Sequence, residues 1–205
     1  MTKPRMTKQQ LASKEKKERI FKNALDLFAQ YGYDNVTVAD IAEKSNISEG
    51  SIYNFFGSKA GILSDTINYV LGSTSEFISV TDEHLADPKQ TMMTYMLEQG
   101  KIFERLGWEL SQKFYSVAMQ NGQVPFDMSY STVMASLNPD MVEFVKAAKE
   151  AGTLKTDYSA EEIVAISLVL RYGLVLTWTQ CSGGFALLEA SKTAFNMEFK
   201  ALGIF

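Results

Sequence analysis

The amino-acid sequence predicts an all-α fold of about nine helices. Apolar residues recur at spacings of three and four along most of the chain, which places them on one face of a helix. The breaks between these segments coincide with residues that cap helix ends. No segment keeps the alternation of period two that is typical of a half-buried strand.

The first three predicted helices lie in the N-terminal 60 residues. Gly32 supplies the C-terminal stop of the first helix. Thr37 and Asp40 form a capping pattern at the start of the second helix, and Ser48 caps the third. The apolar face of the first helix carries Ile20, Ala24, Phe28 and Tyr31.

Capping residues also mark the starts of the later helices. Ser58 caps a fourth helix that extends to about residue 78. We expect this helix to link a small N-terminal domain of residues 1–60 to a larger helical domain of residues 61–205. The further starts fall at Asp87-Pro88, Asn138-Pro139 and Ser159, and the last two helices cover residues 159–180 and 185–202.

The charge of the chain is unevenly distributed. The net charge is −4, but residues 1–60 hold ten Lys/Arg and seven Asp/Glu, a net of +3, and the remainder carries −7. Five lysines and two arginines precede residue 20. We expect this basic N-terminal arm to be attracted to phosphates, although a solvated and frayed terminus has the same composition.

The composition argues against several classes of protein. Cys181 is the only cysteine and His84 the only histidine, so one chain assembles neither a disulfide nor a Cys/His zinc site. The N-terminus leads into charged residues rather than an apolar segment, so a cytoplasmic protein without a signal peptide is expected. Residues 163–178 are apolar but contain Arg171 and fall short of a bilayer span, which favours a buried helix and no membrane partner.

Residues 37–59 carry the pattern of a helix-turn-helix, with two short helices joined by a tight turn at residues 45–47. Ile41, Ala42, Ile47 and Ile52 are placed to pack between these helices. Short polar side chains on the second helix, and the bare backbone of a glycine, are typical of a helix that reads base edges in the major groove. A solvated surface helix is the alternative interpretation. The residues concerned are Ser48, Glu49, Gly50, Ser51 and Asn54.

The same region resembles the TetR family of bacterial regulators. The resemblance covers residues 20–63 through Ile20, Ala24, Leu27-Phe28, Gly32, Thr37-Val38, Asp40-Ile41-Ala42, Ile47-Ser48, Gly50-Ser51-Ile52-Tyr53, Phe56 and Ser58-Lys59. It implies contacts with the DNA backbone for Thr37, Ser48, Tyr53 and Lys59, and with base edges for Ser51 and residues beside it. Hydroxyls at helix starts and a lysine are suited to phosphate. For Tyr53, a plain core aromatic is the alternative.

Two residues depart from the family pattern. Asn46 replaces the common turn glycine, and asparagine still tolerates a left-handed conformation. Phe55 stands where many members have a polar residue or histidine. We expect Phe55 either to pack against the C-terminal domain or to cover sugar carbons at the DNA backbone. Glu49 is also unusual near phosphates, and it either accepts from cytosine or only favours the helix N-terminus.

The resemblance further implies that residues 159–180 and 185–202 pair with their copies in a four-helix dimer interface. The residues themselves support this, because the first of the two helices is apolar nearly all round and must be covered on several sides. A homodimer supplies that cover and presents two reading helices to a near-palindromic site on double-stranded DNA.

An unknown small-molecule effector is the remaining expected partner. Aromatic and methionine residues of the C-terminal domain are candidates for an apolar pocket, although each is also an ordinary core residue. Arg171 and Glu109 need a partner on an otherwise apolar face, and Arg171 is expected to pair with an anionic effector or in an interface salt bridge. The pocket candidates are Trp108, Phe114, Tyr115, Met119, Met134, Phe144, Arg171, Tyr172 and Trp178.

The sequence therefore predicts a DNA-binding transcriptional regulator, by default a repressor that an effector releases from its operator. No cofactor, metal or enzymatic activity is expected, since no nucleophile elbow, phosphate loop, paired-carboxylate motif or metal-ligand spacing is present. Two alternatives remain open. In one, the protein is a helical carrier or enzyme whose helix-turn-helix is vestigial or a packing motif; in the other, a partner protein replaces the small molecule.

Overall fold

The computed structural model of the protein describes residues 7–120 and 137–204. Every regular element within those two ranges is helical, with nine α-helices and one 3-10 helix, which confirms the predicted all-α fold. The chain divides into two compact units, Met1–Tyr69 and Val70–Phe205.

The first unit is built from four helices around a small apolar core. These are α1 (Lys8–Tyr31), α2 (Val38–Ser45), α3 (Glu49–Phe56) and α4 (Lys59–Gly72), the last of which ends in the second unit. The turn between α2 and α3 uses Asn46 in the left-handed conformation, with φ 52° and ψ 54°, as predicted. The core side chains include Ile20, Ala24, Phe28, Ile41, Ile52, Phe56, Ile62 and Ile67.

Helix α1 begins further upstream than its apolar face. Thr7 caps it, because its hydroxyl accepts from the Gln10 N–H and the Gln10 side chain accepts from the Thr7 N–H at 2.8 Å. The basic segment from Lys8 to Arg19 is therefore helical. The sequence showed only the downstream part of this helix, since a largely charged segment has no apolar periodicity to detect.

The second unit holds the remaining elements. They are a 3-10 helix (Ser73–Ile78), α5 (Asp82–Ala86), α6 (Pro88–Gln120), α7 (Pro139–Glu150), α8 (Ala160–Gln180) and α9 (Leu187–Ala201). The predicted caps at Asp87, Asn138 and Ser159 are confirmed. Gly107, at φ 77° and ψ 161°, interrupts α6. The fourth helix was predicted to reach residue 78, but α4 ends at Gly72 and the 3-10 helix follows it.

The core of the second unit lies between α6, α7, α8 and α9. Its buried side chains include Ile78, Met92, Met96, Met141, Phe144, Val145, Ile163, Val164, Phe195 and Phe199. Aliphatic, methionine and phenylalanine side chains from helices distant in the sequence thus meet in one cluster, and burial of this apolar area stabilises the unit.

Helix α8 is longer than its apolar stretch suggests. By length and composition it is long enough to cross a membrane, with 21 residues and a mean hydropathy of 1.4 over its apolar window. The predicted helix over residues 159–180 is confirmed, and its whole length, unlike the apolar stretch of residues 163–178 alone, suffices for a bilayer span. Core helices of soluble proteins pass the same test. Only 33% of that window is buried within the chain, so much of an apolar helix remains uncovered.

Glu198 on α9 is a buried carboxylic acid. It accepts from the Ser167 hydroxyl at 2.5 Å, and its second oxygen has no hydrogen-bond partner in the described part of the chain. Burial raises the pKa of this carboxyl to about 7, while the Ser167 hydrogen bond acts in the opposite direction. The folded protein therefore holds a proton here at pH values where an unfolded chain has released it.

The stability of the second unit is expected to fall as pH rises. Because the folded pKa of Glu198 exceeds the unfolded value of 4.5, its contribution is fully present below pH 4.5 and lost as pH rises through about 7. The loss is on the order of 2 to 3 kcal/mol. Thermal unfolding of wild type and Glu198→Gln at pH 5 to 8 measures it. The stability of Glu198→Gln should no longer depend on pH in this range. Glu189→Gln, at an exposed site on the same helix, is the control and should keep the pH dependence of the wild type. An equal change of stability with pH in all three proteins would contradict the role of Glu198.

Candidate nucleic-acid interface and ligand cavity

Helix α3 presents a polar face to solvent. Ile52 and Phe56 are buried beneath it, while Tyr53 is 50% exposed. The core-aromatic alternative for Tyr53 therefore does not describe this structure. Ser48, Glu49, Gly50 and Asn54 are exposed and Ser51 is partly exposed, so the predicted reading residues share the accessible side of the helix.

The start of α3 is held by a pair of serines. The Ser48 hydroxyl accepts from the Ser51 N–H at 3.3 Å, and the two hydroxyl oxygens are 2.9 Å apart. A side chain at position 50 would have space, since no atom lies within 4 Å of where its Cβ atom would be. The backbone there is open, which leaves space for a groove wall to approach.

Thr37 forms a complete capping box with Asp40. The Asp40 carboxylate accepts both the Thr37 N–H and the Thr37 hydroxyl, each at 2.7 Å. The Thr37 backbone hydrogen bond and then its side-chain hydrogen bond hold the pKa of Asp40 below its usual range. The Thr37 hydroxyl must leave this carboxylate before it can donate to a phosphate, so its predicted DNA contact competes with the cap.

Lys59 is turned towards the loop between α1 and α2. Its ammonium donates to the carbonyls of Tyr33 at 2.9 Å and Val36 at 2.8 Å. It also lies 4.4 Å from the centroid of the Tyr33 ring, which is a cation–π distance. An ammonium has three N–H donors, so one is left for a phosphate. The contact of Lys59 with the DNA backbone stays a prediction. The structure adds a second role for this lysine, which is to hold the loop between α1 and α2.

Replacement of Lys59 by methionine is expected to destabilise the first unit by about 1 to 3 kcal/mol, because the Val36 and Tyr33 carbonyls lose a charged donor. Urea unfolding followed by circular dichroism measures the change. Lys22→Met, at an exposed site on α1, is the matched control and should leave the unfolding midpoint unchanged. An equal loss in both variants would refute the structural role.

Phe55 lies beside two lysines of α1, which the sequence did not predict. Its ring centroid lies 5.9 Å from the Lys16 ammonium and 5.6 Å from the Lys17 ammonium, both on α1. The ring therefore helps to hold two positive charges beside the helix-turn-helix. The two lysines belong to the basic segment noted in the sequence, but only the fold brings them to α3.

The predicted effector residues do not converge on one cavity. Three of them, Phe114, Tyr115 and Tyr172, form an aromatic cluster with Phe103. The centroid of the Tyr115 ring lies 5.7 Å from that of Phe103, 5.3 Å from that of Phe114 and 6.0 Å from that of Tyr172. Phe144 belongs to the main core instead.

The other candidates are scattered through the second unit. Trp108 packs against Gly183, where a built Cβ would approach the indole to 3.1 Å. Trp178 is buried and Met119 is half-buried. Glu109 is exposed, so solvent satisfies its charge. Met134 lies outside the described residues.

A cavity opens between α6, α7 and α8, and Arg171 is the only predicted candidate among its described lining residues. Its enclosed volume is about 40 Å³, and it opens to solvent on one side. The lining residues are Tyr95, Met96, Gln99, Asn138, Met141, Val164, Ser167, Leu168 and Arg171.

A polar network fills one side of this cavity. The Tyr95 hydroxyl accepts from the Gln99 amide at 2.7 Å and from the Asn138 amide at 2.8 Å. Arg171 donates to the Gln99 side-chain oxygen, and its guanidinium lies 5.1 Å from the centroid of Tyr172. Burial raises the pKa of the Tyr95 hydroxyl, against the positive charge of Arg171, so the hydroxyl stays neutral. Besides Arg171, the polar residues at positions 95 and 99, one turn apart on α6, are the sequence signal that could have indicated this site.

The helices and the exposed surface of α3 define a helix-turn-helix protein with a separate helical unit. Residues 20–66 match the family described as "Bacterial regulatory proteins, tetR family". The resemblance seen in the sequence is therefore confirmed for the N-terminal module, and the fold of the whole chain is that of TetR-family regulators.

Three known proteins illustrate the likeness. YuxN of Bacillus subtilis, an uncharacterized HTH-type transcriptional regulator, is 28% identical over 133 residues, which cover 64% of this chain and less than half, 43%, of YuxN. IcaR of Staphylococcus aureus, the negative transcriptional regulator of the biofilm operon icaADBC, is 25% identical over 198 residues, covering 92% of this chain and 98% of IcaR. FadR of Thermus thermophilus, a TetR-family transcriptional repressor solved with lauroyl-CoA, superposes with a TM-score of 0.67 at 21% identity, covering 91% of this chain and 94% of FadR.

Proposed function

We propose that this protein is a sequence-specific DNA-binding repressor that acts in the cytoplasm as a homodimer and leaves its operator when a small molecule binds. The observation that carries the proposal is the capped, exposed polar face of α3 on a buried apolar base. The description of IcaR as a negative transcriptional regulator supports repression. No enzymatic step belongs to this proposal.

In the proposed complex, α3 enters the major groove. Ser51, Asn54 and Glu49 carry the short donors and acceptors that read base edges. Tyr53 and Ser48 donate to phosphates on either side, and the lysines of α1 add sequence-independent attraction. Helix N-terminal amides of α2 and α3 strengthen these phosphate contacts.

The proposed dimer covers the uncovered side of α8 and α9. The outward face of α8 carries the apolar side chains of Ile166, Val169 and Leu176, with Ile166 45% exposed. Together with Gly173 these residues form an exposed apolar stripe along α8. No atom lies within 4 Å of where a Cβ atom of residue 173 would be, so another helix has room to approach closely. Helix α9 adds Met197, which is 68% exposed. Burying these side chains against a second copy removes apolar surface from water.

Effector control follows from linkage between two binding events. A molecule that binds the second unit lowers operator affinity only if it binds the DNA-incompetent conformation more tightly. FadR is described in complex with lauroyl-CoA. In this chain, the cavity beside Arg171 is the candidate effector site.

Selection from a pool of random duplexes by the full-length protein tests the proposal. Enrichment of a near-palindromic sequence, with half-sites about one or two helical turns apart, is the expected result. The same selection with a Ser51→Ala, Asn54→Ala double variant should fail to enrich that sequence. Failure of the wild-type protein to enrich any sequence would contradict the proposal and favour a carrier function.

A further inference from the structure

Among the residues that the structure describes, Arg171 has no anionic partner for its positive charge. Its guanidinium donates to the neutral side chain of Gln99 and lies over the ring of Tyr172. No carboxylate in the described part of the chain lies within salt-bridge distance of it. A partly buried cation normally has an anionic partner, because desolvation of an unpaired charge is costly.

The groups around Arg171 are neutral hydrogen-bonding groups. Gln99 and Asn138 both donate to the Tyr95 hydroxyl, so this oxygen is already occupied as an acceptor and its own O–H is left to donate. The cluster therefore offers unused donors and a positive charge, which together suit an anionic acceptor.

The opposite walls of the cavity are apolar. Met96 and Met141 supply flexible thioether side chains, and Val164 and Leu168 supply aliphatic ones. Methionine side chains adapt to ligands of different shape. A molecule that satisfies both sides has one anionic end and an apolar body, and because the enclosed space is only about 40 Å³, the Met96 and Met141 side chains must move to admit it.

We infer that this cavity binds a small amphipathic organic carboxylate, with the carboxylate on the Arg171 guanidinium and the apolar body against Met96, Met141 and Leu168. The inference rests on the proposed function, since such a molecule is the effector of the repressor. Arg171 thereby discriminates carboxylates from neutral molecules of the same shape. The guanidinium keeps enough N–H donors for a bidentate pair after its bond to Gln99.

Calorimetric titration of the full-length protein, without DNA, tests the inference. The probes are hexanoate, octanoate, decanoate and benzoate, each compared with the alcohol of the same carbon skeleton. At least one carboxylate should bind about ten to a hundred times more tightly than its alcohol. Equal affinity of every acid and its alcohol, or no binding of any carboxylate, would overturn the inference.

Variants separate the charge of Arg171 from its packing. Arg171→Gln should weaken carboxylate binding about ten- to a hundredfold, down to the affinity of the alcohol, and leave alcohol binding unchanged. Arg171→Lys, which keeps the charge but loses the bidentate geometry, should retain part of the preference. Arg105→Gln, at an exposed site on α6, should behave as wild type. Undiminished carboxylate binding by a folded Arg171→Gln protein would also overturn the inference.

The titration keeps this inference distinct from the proposed function. Specific DNA binding without any carboxylate binding would contradict the inference about the cavity but support the proposed DNA-binding function. Carboxylate binding without specific DNA binding would support the binding site but contradict the proposed function. If Arg171→Gln changes only the oligomeric state, Arg171 serves the dimer interface and the inference fails.

Discussion

Gly50→Glu is expected to abolish specific DNA binding, with a loss of affinity of at least about a thousandfold, while the protein stays folded. The added side chain has room in the free protein, because no atom lies within 4 Å of a Cβ at this position. In the complex, the same side chain places a carboxylate where α3 approaches DNA phosphates. An acidic residue in the first helical turn is favourable, so the free energy of unfolding should stay equal or rise slightly.

Fluorescence anisotropy with a labelled operator duplex measures the loss, and thermal unfolding checks the fold. Gly72→Glu is the matched control, since Gly72 is also exposed, its Cβ position is also open, and the change in charge is identical. The control should bind the operator as wild type does. Retention of operator affinity by Gly50→Glu would show that α3 does not face the DNA.

The second large effect is expected from Ile166→Lys. This side chain belongs to the exposed apolar stripe of α8 and is 45% exposed in the single chain. A lysine there places an unpaired ammonium in the proposed dimer interface, and because the dimer is symmetric, each of the two subunits contributes one. The protein should become monomeric, and affinity for an operator with two half-sites should fall about a hundred- to ten-thousandfold, because the avidity of the second reading helix is lost.

Sedimentation equilibrium gives the mass of the variant, and operator titration gives its affinity. Val80→Lys is the control, as Val80 is 46% exposed in the same unit but lies outside α8 and α9. It should remain dimeric. A dimeric Ile166→Lys protein with full operator affinity would contradict the proposed interface.

Local chemistry made much of the first unit predictable. The capping box of Thr37 and Asp40, the cap at Ser48 and the left-handed Asn46 each depend on residues within three or four positions of one another. The same holds for the capping box at Ser159 in the second unit. Such signals are readable because the hydrogen bonds that define them are local in sequence.

The functional contacts that escaped prediction join residues distant in the sequence. Lys59 reaches carbonyls 23 and 26 residues away, and Asn138 reaches Tyr95 across 43 residues. The list of pocket candidates was drawn from aromatic content, which does not distinguish the core position of Phe144 from a cavity wall. Arg171 was identifiable because a charge in an apolar helix requires an explanation wherever the helix packs.

The most direct test of the central claim is the anisotropy of a labelled duplex carrying the selected sequence, titrated with full-length protein at two salt concentrations against a scrambled duplex. We predict at least about a thousandfold preference for the selected sequence, with affinity that falls steeply as salt increases. Equal, weak binding to both duplexes would show that DNA reading is not the function of this protein.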